Sequence, residues 1–429
     1  RQVVARGGIS ALLVMLLVSR GLAASMAAES GLPSIQVFEP SDYQGAAQNW
    51  AVTQDPQGVI YVGNGQAGVL AFDGARWSRI GIPNFSAVRS LATDAEGRVF
   101  VGAVGEFGYL APDDMGRTRY VSLVEQLSAE DRDFTDVWQV LPAEDGVYFS
   151  TYTRLFKLGK EKVSVWKPGS SFHFAFLARN QLFLREVDRG LLRMVDAALV
   201  PVVESERFAH EKIYAVLPWP GQGSEDDAVL IGTRTQGWLV FDGASYRSWP
   251  TEVDDAVKRN QIYGARWLDD GTLAIATLEG GLFILNKEGR LLRHVTEATG
   301  LPDDVVYGLF QDKQRGLWLA LNTGLARIEL GSPLTRFDKR LGLQATVQSV
   351  QRHGGHLFAG TAKGLFRLDP GETGGARFSP VSGVPGQNWA LLDLGQSLLV
   401  ATGKGVFEIA GQKATLVRAS DKISFSLLR

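Results

Sequence analysis

The sequence predicts an all-β fold: tandem β-propellers built from four-stranded blades. Three observations carry this. Short apolar runs recur along almost the whole chain, separated by turns rich in Asp and Gly. The turn signatures return at intervals of about 40 residues, the spacing of propeller blades. Runs such as 317–321, LWLAL, contain no polar residue, as a strand covered on both faces requires.

The first 28 residues stand outside this pattern. Arg1 and Arg6 make a basic start, 9–18 (ISALLVMLLV) is apolar, and Ser25-Met26-Ala27 fits a small-x-Ala cleavage site. The run is too short to cross a bilayer, so 1–28 is expected to be a signal peptide. Export combined with a Cys count of 0 points to a bacterial periplasm and rules out disulfides and thiol chemistry. A net charge of -2 offers no basic field for nucleic acid. No later stretch is apolar over enough residues to span a membrane.

Residues 35–38 read as a lone strand. The first unit follows with 50–54, a turn at 55–58, 59–62, 69–72 and 76–80, where Asp73-Gly74 marks a hairpin. The second is 88–93, a turn at 94–97, 99–102 and 107–110. Later units start at Val137, near Phe174, at Ile213 and at Ile262, and the fifth repeats the Phe-Asp-Gly hairpin at 241–243. The seventh, 301–330, is the clearest: strands 305–310, 317–321 and 325–330 around turns at 312–316 and 322–324. Further units begin at Val347 and Trp389, and 424–428 looks like the opening of another. Helix is expected only as short turns near 123–131 and 254–260.

This many units exceeds the usual limit of about eight blades per ring. The reading is therefore a first propeller over 34–330, seven-bladed and closed by 35–38 as the outer strand of its last blade. Gly331-Ser332-Pro333 is the hinge, and 331–429 is the incomplete start of a second ring in a longer protein.

Sequence motifs for catalysis are weak. Residues 63–68, GNGQAG, match G-x-G-x-x-G, but the next segment reads as a strand where a dinucleotide site needs a helix. His353 and His356 flank a Gly-Gly turn with no third ligand nearby, so no metal site is expected. Acidic pairs such as Asp269-Asp270 and Asp303-Asp304 fall in turns, where Asp caps backbone amides. No cofactor is expected. Residues at the mouths of the first strands, or between second and third strands, should face the propeller axis, where ligands bind. They give a candidate ligand-binding set: Asn49, Trp50, Arg89, Glu106, Trp138, Tyr152, Arg185, Arg234 and Asn322.

The units resemble the two-component regulator propeller repeat. Asp312, Gly316, 317–321 and Gly324-Leu325 match its D-x-x-G, L-W-[LIV]-[GA]-[TL], x-x-G-[LI] pattern, and 300–304, GLPDD, matches its lead-in. Asp55, Gly58 and 61–63 match more loosely, as do Gly360-Thr361 with Gly364-Leu365; the third and fourth units lack the Asp turn. The resemblance implies the periplasmic sensor region of a bacterial transmembrane receptor. A triple-tyrosine domain, a membrane helix and a cytoplasmic output domain, of histidine kinase or nucleotide cyclase type, would follow. It implies an extracellular ligand, an oligosaccharide among the candidates, and homodimerisation through the full-length, inner-membrane-anchored receptor. The competing expectation is a secreted propeller enzyme, a lyase or glycoside hydrolase, with an axial active site.

Overall fold

The computed structural model describes residues 29–160, 162–221, 227–370, 376–410, 413–419 and 425–427. The expected signal peptide lies outside these residues, as do 424 and 428, and 425–427 form no strand. The chain divides into a unit over Ile35–Gly331 and a unit formed by 332–429 with the residues up to Ser34. No helix among the described residues is long and apolar enough to cross a membrane.

Among the described residues, the Ile35–Gly331 unit contains seven four-stranded antiparallel sheets. Each is a meander whose first strand is innermost: Asn49–Gln54, Val88–Thr93, Gln139–Ala143, Phe172–Ala178, Ile213–Pro218, Ile262–Trp267 and Val306–Gln311. Successive innermost strands lie side by side, and the last lies beside the first, so the unit closes on itself as a propeller. Helix is confined to short pieces, including 3-10 turns at Val124–Gln126 and Ala129–Asp131 and an α-helix at Asp254–Arg259.

The seventh sheet shows why the repeat has its sequence. Leu317–Leu321 is buried throughout because its two faces meet two different neighbours. Leu317, Leu319 and Leu321 pack with Ala274, Ala276 and Ile284 of the sixth sheet. Trp318 and Ala320 pack with Val52, Ile60 and Val62 of the first. The sheet supplies only three strands from its own stretch of chain. Its fourth is Ser34–Phe38, hydrogen-bonded beside Leu325–Glu329.

Asp312 explains the turn signature. Its carboxylate accepts from the Gln314 and Gly316 amides at 2.9 and 2.8 Å, fixing the turn. It also accepts from Trp318 Nε1 at 2.9 Å and Arg327 Nε at 2.6 Å, pinning the next two strands. Asp55 repeats the device, accepting from the Val59 amide and from Tyr61 Oη at 3.0 Å. The 63–68 glycine motif joins strands Ile60–Asn64 and Gly68–Phe72 and is a hairpin turn.

Among the described residues, the second unit holds two four-stranded sheets, whose first strands are Val347–His353 and Asn388–Asp393. Phe358, Leu365, Leu398, Val400 and Ile409 form the core between them. His353 is half-buried, with Nδ1 2.8 Å from Asp393 Oδ1. Leu32 and Arg336 exchange backbone hydrogen bonds of 2.9 Å in both directions, and Glu29 pairs with Arg352.

Candidate functional site: an aromatic collar on the axis

The innermost strand of a blade has only one ladder partner, so its other edge faces the propeller axis. Near its start, six of the seven such strands in the ring carry a β-bulge. The register slips between Asn49 and Ala51, Val88 and Ser90, Phe172 and Ala175, Ile213 and Ala215, Ile262 and Gly264, and Val306 and Gly308. A bulge leaves its extra residue unpaired and re-aims the side chain. The residues so released are Trp50, Arg89, His173 with Phe174, Tyr214, Tyr263 and Tyr307. In the third sheet Trp138 occupies the same place, its amide bonded to Ser150 O at 2.8 Å.

These side chains meet in a closed circuit. Trp50 stacks on Tyr307 with centroids 4.2 Å apart and planes at 19°. Tyr307 meets Tyr263 edge-on at 5.5 Å, Tyr263 meets Phe174 at 5.9 Å, Phe174 meets Trp138 at 6.1 Å, and Trp138 returns to Trp50 at 5.9 Å. Contacts between Trp50 and Trp138, and between Phe174 and Tyr263, skip the intervening blade. The rings therefore narrow the axis at this end. Arg89 lies between the two tryptophans, with Cζ 4.0 Å from the Trp50 ring and 5.3 Å from the Trp138 ring, and Nε 2.6 Å from Asp136. Such cation–π contacts are stronger where water is excluded.

A polar rim surrounds the collar. Gln48 Nε2 donates to Asn322 Oδ1 at 3.1 Å and to Tyr307 Oη at 3.3 Å, and Asn322 donates to Asp303 at 3.2 Å. Arg234 lies over Tyr214 at 5.7 Å and hydrogen-bonds Gln261, which donates to Glu279 at 2.6 Å. Tyr152 packs on Trp138 at 5.6 Å and on His173 at 6.4 Å. Burial, reinforced by the charges of Arg185 and Lys212, drives the His173 pKa down to about 3, so its ring is neutral at ordinary pH. Burial pushes the Tyr263 and Tyr214 hydroxyls up, so they remain protonated donors. Trp50 Nε1, Trp138 Nε1, His173 Nδ1 and Arg234 Nη1 are buried without a hydrogen-bond partner among the described residues.

Behind the collar the axial cavity has a volume of about 520 Å³, within the range of small-molecule sites. Thr53 and Thr93 hydroxyls meet at 2.9 Å in its wall. No group of three or more metal-ligating side chains is assembled among the described residues.

Of the residues singled out from sequence, Trp50, Arg89 and Trp138 line this cavity. Tyr152, Arg234 and Asn322 stand on its rim. The other three serve the blades. Asn49 is fully buried and donates to Tyr43 Oη and to the carbonyls of Ala47 and Gly324, closing the seam between first and last sheets. Glu106 accepts from Ser122 at 2.6 Å and Tyr120 at 3.1 Å, across its own sheet. Arg185 is buried and donates to the Phe208 and Ala209 carbonyls. Tyr214, Tyr263, Tyr307, Phe174 and His173 were not singled out. Their signal is the β-branched-then-aromatic step at Ile213-Tyr214, Ile262-Tyr263 and Val306-Tyr307, the first residue buried and the second turned to the axis.

The fold is that of β-propellers. Neither a protein family nor a curated protein matches the sequence. Among solved structures, the chain is similar to the extracellular domain of a protein assigned as a hybrid two-component system, BT3049 of B. thetaiotaomicron. That match has TM-score 0.59 and 18% identity, covering 91% of this chain and 60% of that one. The extracellular domain of BT4673 from the same organism, assigned as a one-component system, matches with TM-score 0.54 and 17% identity over 89% of this chain and 53% of that one. A streptogramin B lyase matches with TM-score 0.52 and 12% identity over 69% of this chain and 97% of the lyase. The chain thus spans little more than half of the two extracellular domains it resembles.

Proposed function

We propose that this chain is the ligand-sensing propeller region of a bacterial transmembrane signalling receptor, acting outside the cytoplasmic membrane. Residues 34–330 serve as a complete seven-bladed ring, and the chain from 331 onward begins a second. The observation that carries the reading is the collar: seven blades each place a residue at one end of the axis, and six of those positions are aromatic. Core packing alone would not need rings aimed at an open axis with their N–H groups unpaired. The likeness of fold to the two extracellular sensor domains supports the same reading. Trp50, Arg89, Trp138, Tyr152, Arg234 and Asn322 bind the ligand. Homodimerisation and a membrane-linked output belong to the full receptor.

The enzyme reading has less support. A glycoside hydrolase needs two converging carboxylates, and none lines the axial cavity among the described residues.

The test is a titration of tryptophan emission against a panel of oligosaccharides and organic acids. Trp138→Ala should weaken any binder by about 10-fold or more, since buried aromatics dominate such sites. A binder whose affinity survives both Trp138→Ala and Trp50→Ala would remove the collar as the sensing site.

A further inference from the structure

Arg266 is unlike the other cations that face the axis. It sits on Ile262–Trp267, three residues past Tyr263, and so about 10 Å further from the collar along the strand. Its side chain lines the axial cavity and lies over Phe310 at 5.5 Å. Arg89, the other charged residue lining the cavity, holds the Asp136 carboxylate. The Arg266 guanidinium makes no hydrogen bond and no ion pair with any described residue. Asp269, in the exposed turn that follows, acts on it only through space. Although water in the channel can reach it, the surrounding protein desolvates the guanidinium and holds its pKa below the ordinary arginine value.

The rest of the wall fits the same need. The charged side chains lining the cavity are Arg89 and Arg266, with no Asp or Glu among them. Ala51, Ser90, Ala175 and Gly308 follow the bulges along the wall, where a larger residue at 308 would run into the Trp50 carbonyl of the next innermost strand. The free edges of the innermost strands offer backbone N–H and C=O groups to whatever fills it. Arg266 is exposed to the water of the channel, and an anion meeting its guanidinium would replace that water with charge-assisted hydrogen bonds. A guanidinium presents a planar fork that matches a carboxylate with two parallel hydrogen bonds.

We infer that the axial cavity takes an organic carboxylate, its anionic end on Arg266 and its body along the axis toward the collar. This rests on the axial cavity being the sensing site.

The experiment uses matched acid and neutral pairs: galacturonate with galactose, phenylacetate with 2-phenylethanol, and hexanoate with 1-hexanol. Each is titrated at millimolar concentration by calorimetry and by tryptophan emission, with inorganic phosphate as a further arm. At least one acid should bind more tightly than its neutral partner. Arg266→Gln should weaken that acid by about 10–100-fold, the loss expected for a hydrogen bond to a charged group. Arg266→Lys should retain part of the affinity, with the circular dichroism and melting midpoint of both variants unchanged. The assignment is overturned if no acid binds, if acid and neutral partners bind alike, if Arg266→Gln leaves acid binding intact, or if phosphate binds as well as the carboxylates. A neutral binder lost in Trp138→Ala overturns the carboxylate assignment and keeps the sensing site. A binder indifferent to Trp50, Trp138 and Arg266 overturns both.

Discussion

Asp312→Ala should lower the stability of the ring by about 3–5 kcal/mol, the cost of removing one partner from a buried charge pair. The carboxylate is 3% exposed and Arg327 16%, so the guanidinium left behind has little water to turn to. Glu329 also touches Arg327 and would hold part of its charge, which places the loss toward the lower end. Trp318 Nε1 and the Gly316 amide would lose their acceptor as well. Asp312→Asn keeps an acceptor oxygen and should cost less. Burial alone would raise the Asp312 pKa, but the hydrogen bonds from Arg327, Trp318 and Gly316 outweigh it and hold the carboxyl below its usual range. Because the folded pKa is depressed, this contribution is fully present above the unfolded value of about 3.9. It is lost as pH falls through the lower folded value. Urea denaturation of wild type and both variants between pH 7 and pH 3 checks this: the gap between wild type and Asp312→Ala should close toward pH 3, and a constant gap would contradict the ion-pair account.

Phe38→Ala should cost a similar amount, about 3–5 kcal/mol, as for other large aromatic truncations in cores. Phe38 closes the ring. It stacks on Trp318 with centroids 5.3 Å apart and planes at 9°, and meets Phe72 and Trp77 of the first sheet edge-on at 5.4 and 5.5 Å. Its removal leaves a void where first and last sheets join. Hydrogen exchange should therefore rise first in Val306–Gln311, Leu325–Glu329 and Asn49–Gln54, with the fourth sheet changing least. Uniform acceleration across all seven sheets would show that the seam is not a separate weak point.

These two residues also mark what the sequence discloses. The Asp turn is local: a carboxylate, a Gly and an aromatic within a few positions report their own hydrogen bonds, so the blade repeat is legible. The closing strand follows from counting, since the seventh unit offers three strands and a blade needs four. The collar was only partly legible. Trp50 and Trp138 stood out as aromatics at strand starts, but a bulge has no residue signature. Which of Ile213 and Tyr214 turns to the axis depends on a slip of one position. Asn49, Glu106 and Arg185 illustrate the reverse. A polar residue at a loop mouth looks the same whether it greets a ligand or satisfies carbonyls and hydroxyls inside the blade, and only the packing distinguishes them. Arg266 went unnoticed because its significance lies in the carboxylate missing from the cavity wall around it.

The seventh sheet borrows Ser34–Phe38 from far upstream in the chain, and Leu32, just before that strand, is bonded to Arg336, past Gly331. The polypeptide therefore passes between the two units twice, once at 34–35 and again at 331–332. Two covalent links in parallel behave unlike a single flexible tether. A cut at either link leaves the other intact. Strain arising at the ring's closing blade thus has two routes into the rest of the chain, neither of which needs a side chain to carry it.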